Sequence, residues 1–189
     1  KIGIAEISPW TYRALMAPGG GLFLFLLIRL MGGSLSVPRA QWRPLLITAL
    51  LNVTLWQLFS GIGISLMASG RAGILAFTMP VWAALLGYSF FGEGLTTRHL
   101  TALGFGVAGI TVLMSDTFSL DSDSVLGSTF MLAAAISWAA GTVMIERLNW
   151  GIPVISLTAW QLIIGSVPMV IGAVVLERPD FTNVSAAAW

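Results

Sequence analysis

The chain has 189 residues, with nine Lys+Arg against eight Asp+Glu and a net charge of +1. Apolar types make up 57% and mean hydropathy is +0.90, while charged types make up only 9%, against roughly 25% in soluble domains. That composition excludes disorder and an ordinary water-soluble globule, and the near-zero net charge leaves no basic footprint for a nucleic acid.

Charges punctuate the sequence. Uncharged stretches run 14–28, 44–70, 72–92, 99–115, 124–145 and 148–176. A helix needs roughly 20 apolar residues to cross about 30 Å of hydrocarbon. The stretches therefore predict six membrane helices, at about 9–30, 44–67, 71–92, 99–115, 126–146 and 153–176. The runs are continuous rather than alternating, which disfavours an outer-membrane barrel. The expected fold is an all-α polytopic membrane bundle in contact with lipid.

The first helix reaches span length only by starting near Pro9 and including Arg13, the one charge well inside a span. Arg13 is four residues in from Pro9 and can snorkel to the interface, so it is assigned to orientation and stability. Gly32, Gly33 and Ser34 with Pro38 close this helix. The second helix carries Asn52, Thr54, Trp56, Gln57 and Ser60, with Asn52, Trp56 and Ser60 four apart on one face. Two readings stand: interhelical hydrogen bonds of about 0.6–2 kcal/mol each, or the polar and aromatic wall of a substrate cavity.

Met67 to Gly70 is a very short link, so the second and third helices form a tight hairpin. The third helix carries Phe77, Thr78, Pro80 and Trp82. Pro80 removes a backbone donor and frees a carbonyl at mid-helix. In transporters such broken helices line the site, although proline kinks are also tolerated in purely structural membrane helices. Gly92, Glu93 and Gly94 end this helix, with Glu93 at the interface near Arg98. The fourth stretch holds Gly104, Gly106 and Gly109 in a G-x-G-x-x-G pattern. No strand precedes it, so helix packing is the reading, as for the small pairs Gly61/Ser65 and Ala135/Ala139. Asp116 to Ser124 is an acidic loop. The fifth helix carries Ser137, Trp138 and Thr142; Trp138 reads as packing or as a cavity aromatic. Asn149 to Pro153 joins it to the sixth.

Six spans put loops 29–43, 93–98 and 146–152 on one side, with Arg29, Arg39, Arg43, Arg98 and Arg147. Lys1, Arg71 and Arg178 lie on the other. The excess favours the first set facing the cytoplasm, in an inner or plasma membrane. Absence of cysteine excludes thiolate sites and Cys nucleophiles. One histidine, His99, argues against a His-based metal centre. No G-x-S-x-G or H-E-x-x-H occurs. Neither an enzyme nor a cofactor is expected. Lys1 to Ile4 reads as the tail of an earlier helix and Val184 to Trp189 as the start of a later one, as in a fragment of a longer protein.

The order of features around the third and fourth helices is specific. Ser69 to Trp82, with Pro80, is followed by Phe91-Gly92-Glu93-Gly94-Leu95-Thr96, then by Gly104 and Gly109-Ile110-Thr111-Val112-Leu113-Met114. Ser8-Pro9 with Arg13, Gly127-Ser128 to Thr142, and Ala159-Trp160-Gln161-Leu162 with Gly165 flank this core. The whole chain resembles the EamA family of the drug/metabolite transporter superfamily.

The resemblance implies ten helices in two inverted five-helix repeats. Residues 1–116 would belong to the first repeat, 117–125 to an outward loop and 126–189 to the start of the second. The expected function is a secondary transporter exporting amino acids or related small metabolites by alternating access. Asn52, Trp56, Gln57, Phe77, Thr78 and Pro80 are the expected substrate-binding residues, faced by Trp138, with Arg13 and Glu93 structural. The alternative is a membrane assembly or anchor subunit without a substrate. A chain limited to this segment would need to dimerise to alternate access.

Overall fold

The computed structural model describes residues 9–92 and 122–177, together with 97, 100, 101, 104–108 and 111 between them. Among the described residues every regular element is helical. They are α1 (Pro9–Leu30), a 3-10 turn (Arg39–Gln41), α2 (Trp42–Ala49), a π-helical stretch (Leu50–Leu55), α3 (Trp56–Leu66), α4 (Ser69–Ala76), α5 (Met79–Phe91), α6 (Ser122–Arg147), α7 (Val154–Gly172) and a π-helical end (Ala173–Glu177). Five largely helical segments are long and apolar enough to cross a membrane: Trp10–Leu30, Arg39–Leu66, Ser69–Phe90, Asp123–Arg147 and Val154–Val175. They coincide with five of the six expected spans. Much of the sixth, 99–115, lies outside the described residues, as do Glu93, His99 and most of the acidic loop.

The ends follow local chemistry. The backbone of Gly32 has φ 70°, which lets the chain leave α1 by two reversed bonds. Gly33 N–H donates to Ile28 O at 2.8 Å and Gly32 N–H to Arg29 O at 3.1 Å, the Schellman pattern that satisfies orphan carbonyls. Gly92, at φ 64°, ends α5 with a bond to Tyr88 O at 3.2 Å. Pro153 starts α7, its carbonyl accepting from Ser156 and Leu157 N–H at 3.0 and 3.1 Å. The link after α3 is shorter than expected: only Met67 and Ala68 are extended, and Ser69 and Gly70 already belong to α4.

The chain divides into two units, Lys1–Thr54 with Asn149–Trp189, and Leu55–Leu148. In the first, α1 and α2 both pack on α7. Small residues permit the approach. A Cβ added at Gly165 would lie 2.5 Å from Val53 Cβ and 2.7 Å from Ala49 O, and one at Gly21 would lie 2.9 Å from Ile163 Cδ1. Leu45, Thr48, Ala49, Leu157 and Ala159 are fully buried around these contacts. The loop after α1 is tied to α7: Ser156 Oγ donates to Ser34 O at 2.9 Å and Trp160 Nε1 to Leu35 O at 2.9 Å.

In the second unit α3, α4 and α5 all pack on α6. Ala72, Leu75 and Met131 form its buried cluster. A Cβ at Gly63 would meet Met131 Cγ at 2.6 Å, and one at Gly127 would meet Leu66 Cβ at 3.0 Å. Gly63 and Gly127 thus make a close approach of α3 and α6. Ala135 and Ala139 are buried as expected. Gly104 and Gly106 meet no described atom within 4 Å, so the packing expected of them has no partner among the described residues.

Candidate functional site

The expected site residues divide between the two units. Asn52 belongs to the first; Trp56, Gln57, Phe77, Thr78, Pro80 and Trp138 belong to the second. Asn52 lies inside the π-helical stretch Leu50–Leu55, which ends immediately before Trp56, so the regular four-residue spacing that joined Asn52, Trp56 and Ser60 does not run through unbroken α-helix. Single π turns inside helices occur frequently at functional sites.

In the first unit Thr54 Oγ1 donates to Gly165 O at 2.7 Å, which fixes the π stretch against α7. Two buried amides accompany it. Asn52 is 7% exposed and Gln161 is 5% exposed. Neither Asn52 Oδ1 nor Gln161 Nε2 has a hydrogen-bond partner among the described residues. Asn52 adjoins Val53, and Gln161 is one helical turn before Gly165, so both amides belong to the segments that meet where Gly165 packs on Val53. An orphaned buried donor or acceptor costs about 1–3 kcal/mol. One acceptor and one donor thus lie unmatched between packed helices. Gln161 was not among the expected site residues. Its signal was an amide within an otherwise apolar run, the same signal that pointed to Asn52 and Gln57.

In the second unit the structure brings Trp56 and Trp138 together, with ring centroids 5.0 Å apart and planes at 68°. Phe59 and Phe130 continue the aromatic contact between α3 and α6 at 6.0 Å. Gln57 is half-buried on α3. Pro80 does not sit within a continuous helix. The run breaks at Phe77 and Thr78, and Pro80 occupies the first turn of α5. Its missing N–H would in any case have no partner there, and it cannot donate to the carbonyl of Ala76. Thr78 bridges the break: its Oγ1 donates to Leu75 O at 2.7 Å and accepts from Trp82 Nε1 at 3.0 Å. Phe77 points outward, 79% exposed, and Pro80 is exposed as well. The structure does not gather these two around the tryptophan pair. Arg13 is half-buried on α1, one turn from its start.

No group of three His, Cys, Asp or Glu that could hold a metal occurs among the described residues. The polar inventory consists of amides, hydroxyls and indoles along apolar helices. These groups can bind a small polar molecule through hydrogen bonds and aromatic contact.

The model of the EamA-like transporter family matches residues 1–115 and 125–189. The chain belongs to the EamA-like transporter family. It is 24% identical to the Bacillus subtilis protein named uncharacterized transporter YoaV, covering 100% of this chain and 63% of that protein. It is 28% identical to a protein of Escherichia coli K12 named probable amino-acid metabolite efflux pump, over 59% of this chain and 38% of that protein. A solved crystal structure superposes with a TM-score of 0.74 at 20% identity, covering 92% of this chain and 60% of the other; that likeness shows a shared fold. The chain spans less than two thirds of the length of these relatives. Like them it is a membrane protein, and the EamA-like relatives bear transporter names rather than enzyme names.

Proposed function

We propose that the whole protein is a secondary transporter of the plasma membrane that exports amino acids or related small metabolites by alternating access. The match to the EamA-like transporter family on both sides of the acidic loop carries this reading. The substrate class leans on the name of the Escherichia coli relative. The architecture proposed with it has ten helices in two inverted five-helix repeats, with residues 1–116 in the first and 126–189 in the second. In the first unit, Asn52 and Gln161 offer an unmatched acceptor and donor of the kind a zwitterionic substrate would engage. In the second, Trp56 and Trp138 offer an aromatic surface with Gln57 next to Trp56 in sequence, and the broken run at Phe77, Thr78 and Pro80 belongs to the same unit. Arg13 and Glu93 set orientation and stability.

The test is efflux from proteoliposomes carrying the full-length protein and loaded with a panel of labelled amino acids. Time-dependent release above protein-free vesicles, selective among the panel and weakened by Gln57→Ala, is the expected result. Release no faster than from empty vesicles, for the amino acids and for a wider metabolite mixture, would discard the transporter reading in favour of an assembly subunit.

A further inference from the structure

Where α1 ends, an open cleft of about 660 Å³ lies between the last turns of α1, the following loop and the start of α7. Its volume falls in the range of about 300–1,000 Å³ typical of small-molecule sites. The lining is divided by chemistry. Phe25, Leu26 and Trp160 form an apolar side; Arg29, Ser34 and Ser36 form a polar one. Trp160 is a fixed corner, edge-on to Phe25 at 4.9 Å and to Trp42 at 5.3 Å.

The polar side is biased towards donors. The Ser34 carbonyl accepts from Ser156 Oγ and the Leu35 carbonyl from Trp160 Nε1, so both loop carbonyls are already engaged by α7. Ser36 N–H donates to Ser34 Oγ at 3.2 Å, which leaves the Ser34 hydroxyl hydrogen available to donate. Arg29 is exposed in the last turn of α1, and among the described residues its guanidinium has no hydrogen-bond or ion-pair partner. A cation and hydroxyls facing one cleft suit an anion with several oxygens, and a guanidinium binds phosphate with two parallel hydrogen bonds.

The apolar half decides which phosphate. α1 is a membrane span, and Arg29 lies at its last turn. Leu22, Phe23 and Leu26 are 58–64% exposed on the same helix, so the cleft opens at the end of an exposed apolar face of a span. A soluble phosphate would leave Phe25, Leu26 and Trp160 without a role. A phospholipid uses both halves, and basic pockets at helix ends are known to hold acidic headgroups.

We propose that this cleft binds an anionic phospholipid from the leaflet on the Arg-rich side, its phosphate against Arg29, Ser34 and Ser36 and its first methylenes against Phe25, Leu26 and Trp160. The test is native mass spectrometry of the full-length protein released from mixed micelles of phosphatidylglycerol and phosphatidylcholine with matched acyl chains. The wild type should retain phosphatidylglycerol several-fold over phosphatidylcholine. Arg29→Gln should abolish that preference, Arg29→Lys should keep part of it, and Arg43→Gln should keep all of it. Equal retention of the two lipids by the wild type would overturn the proposal. So would an unchanged preference in Arg29→Gln, or an equal loss in Arg43→Gln, which would mean diffuse surface charge. Displacement of the lipid by glycerol phosphate at equal concentration would make the site one for soluble phosphate and overturn it too. A photoactivatable phosphatidylglycerol applied to the wild type gives a readout independent of variant folding. Crosslinks should fall within 22–36 and 154–160, and crosslinks confined elsewhere would refute the assignment.

Discussion

The edge of one indole meets the face of another where Trp56 and Trp138 approach to 5.0 Å at 68°. This arrangement uses the quadrupoles of the two rings and contributes about 0.5–1.5 kcal/mol beyond the area buried. It also sets the spacing of α3 and α6 at that level, where neither residue is fully buried. Trp138→Phe keeps an edge-to-face partner and should lower thermal stability only slightly. Trp138→Ala and Trp56→Ala should each cost more, and the double variant should cost less than their sum by about 0.5–1.5 kcal/mol. Thermal denaturation of the wild type and all four variants in one detergent checks this. Strict additivity would mean that the rings touch without coupling.

Gly165 and Gly63 both sit in close contacts but differ in what a side chain would strike. At Gly165 the obstacles are Val53 Cβ and the Ala49 carbonyl, at 2.5 and 2.7 Å; at Gly63 they are first the Cγ and Sδ of Met131. A backbone carbonyl cannot move aside, whereas a methionine can repack. Gly165→Ala should therefore lower stability at the upper end of the 1–3 kcal/mol expected of overpacking, and Gly63→Ala by distinctly less. Gly172→Ala meets nothing within 4 Å and should stabilise by a few tenths to about 1 kcal/mol through helix propensity. The melting temperatures should rank Gly172→Ala, wild type, Gly63→Ala, Gly165→Ala from highest to lowest.

The break between α4 and α5 is bridged by one hydroxyl. Thr78→Val is nearly isosteric but removes the acceptor for Trp82 Nε1 and the donor to Leu75 O. The stranded indole N–H should cost about 1–3 kcal/mol, while Thr78→Ser should retain both bonds and most of the stability. Pro80→Ala acts differently, because it removes the ring that crowds the preceding turn and so permits the run to close into one helix. Its expected phenotype is unchanged or increased melting temperature with slower efflux. Faster melting with normal efflux would show that the proline serves folding alone.

The positions of the spans were legible because twenty-residue uncharged runs have no other use in a short chain. Helix ends were legible at Gly32, Gly92 and Pro153, where one residue's backbone chemistry decides the outcome locally. Interior detail was not. The π-helical stretch at Leu50–Leu55 is stabilised by Thr54 reaching Gly165, 111 residues away in the chain, and no local pattern encodes that bond. Likewise 21 glycines offer many small faces, and which of them meets a neighbour depends on helix rotation, so no local pattern singles out Gly63. Pro80 signals either a break or a tolerated kink in mid-helix; in the structure the run breaks just before it, at Phe77 and Thr78, and Pro80 sits in the first turn of α5. Of the expected site, amides and aromatics stand out in apolar runs, and the structure brings Trp56 to Trp138 while leaving Phe77 and Pro80 exposed. The orphaned amide of Gln161 emerges only once its surroundings are known to be apolar.

That amide separates stability from function. Gln161 Nε2 is buried without a partner among the described residues, and such a group destabilises the helix contact that contains it. Gln161→Leu replaces it by an apolar side chain of similar length. If the donor is retained for substrate, the variant should melt higher, by the equivalent of about 1 kcal/mol or more, and lose efflux. Asn52→Leu should behave in the same way, because it removes the matching orphan acceptor. If instead water fills the gap and the amides serve only the fold, both variants should melt lower and transport normally at reduced temperature. Thermal denaturation and proteoliposome efflux on the same preparations distinguish the two outcomes, since the sign of the stability change and the sign of the activity change are predicted to be opposite.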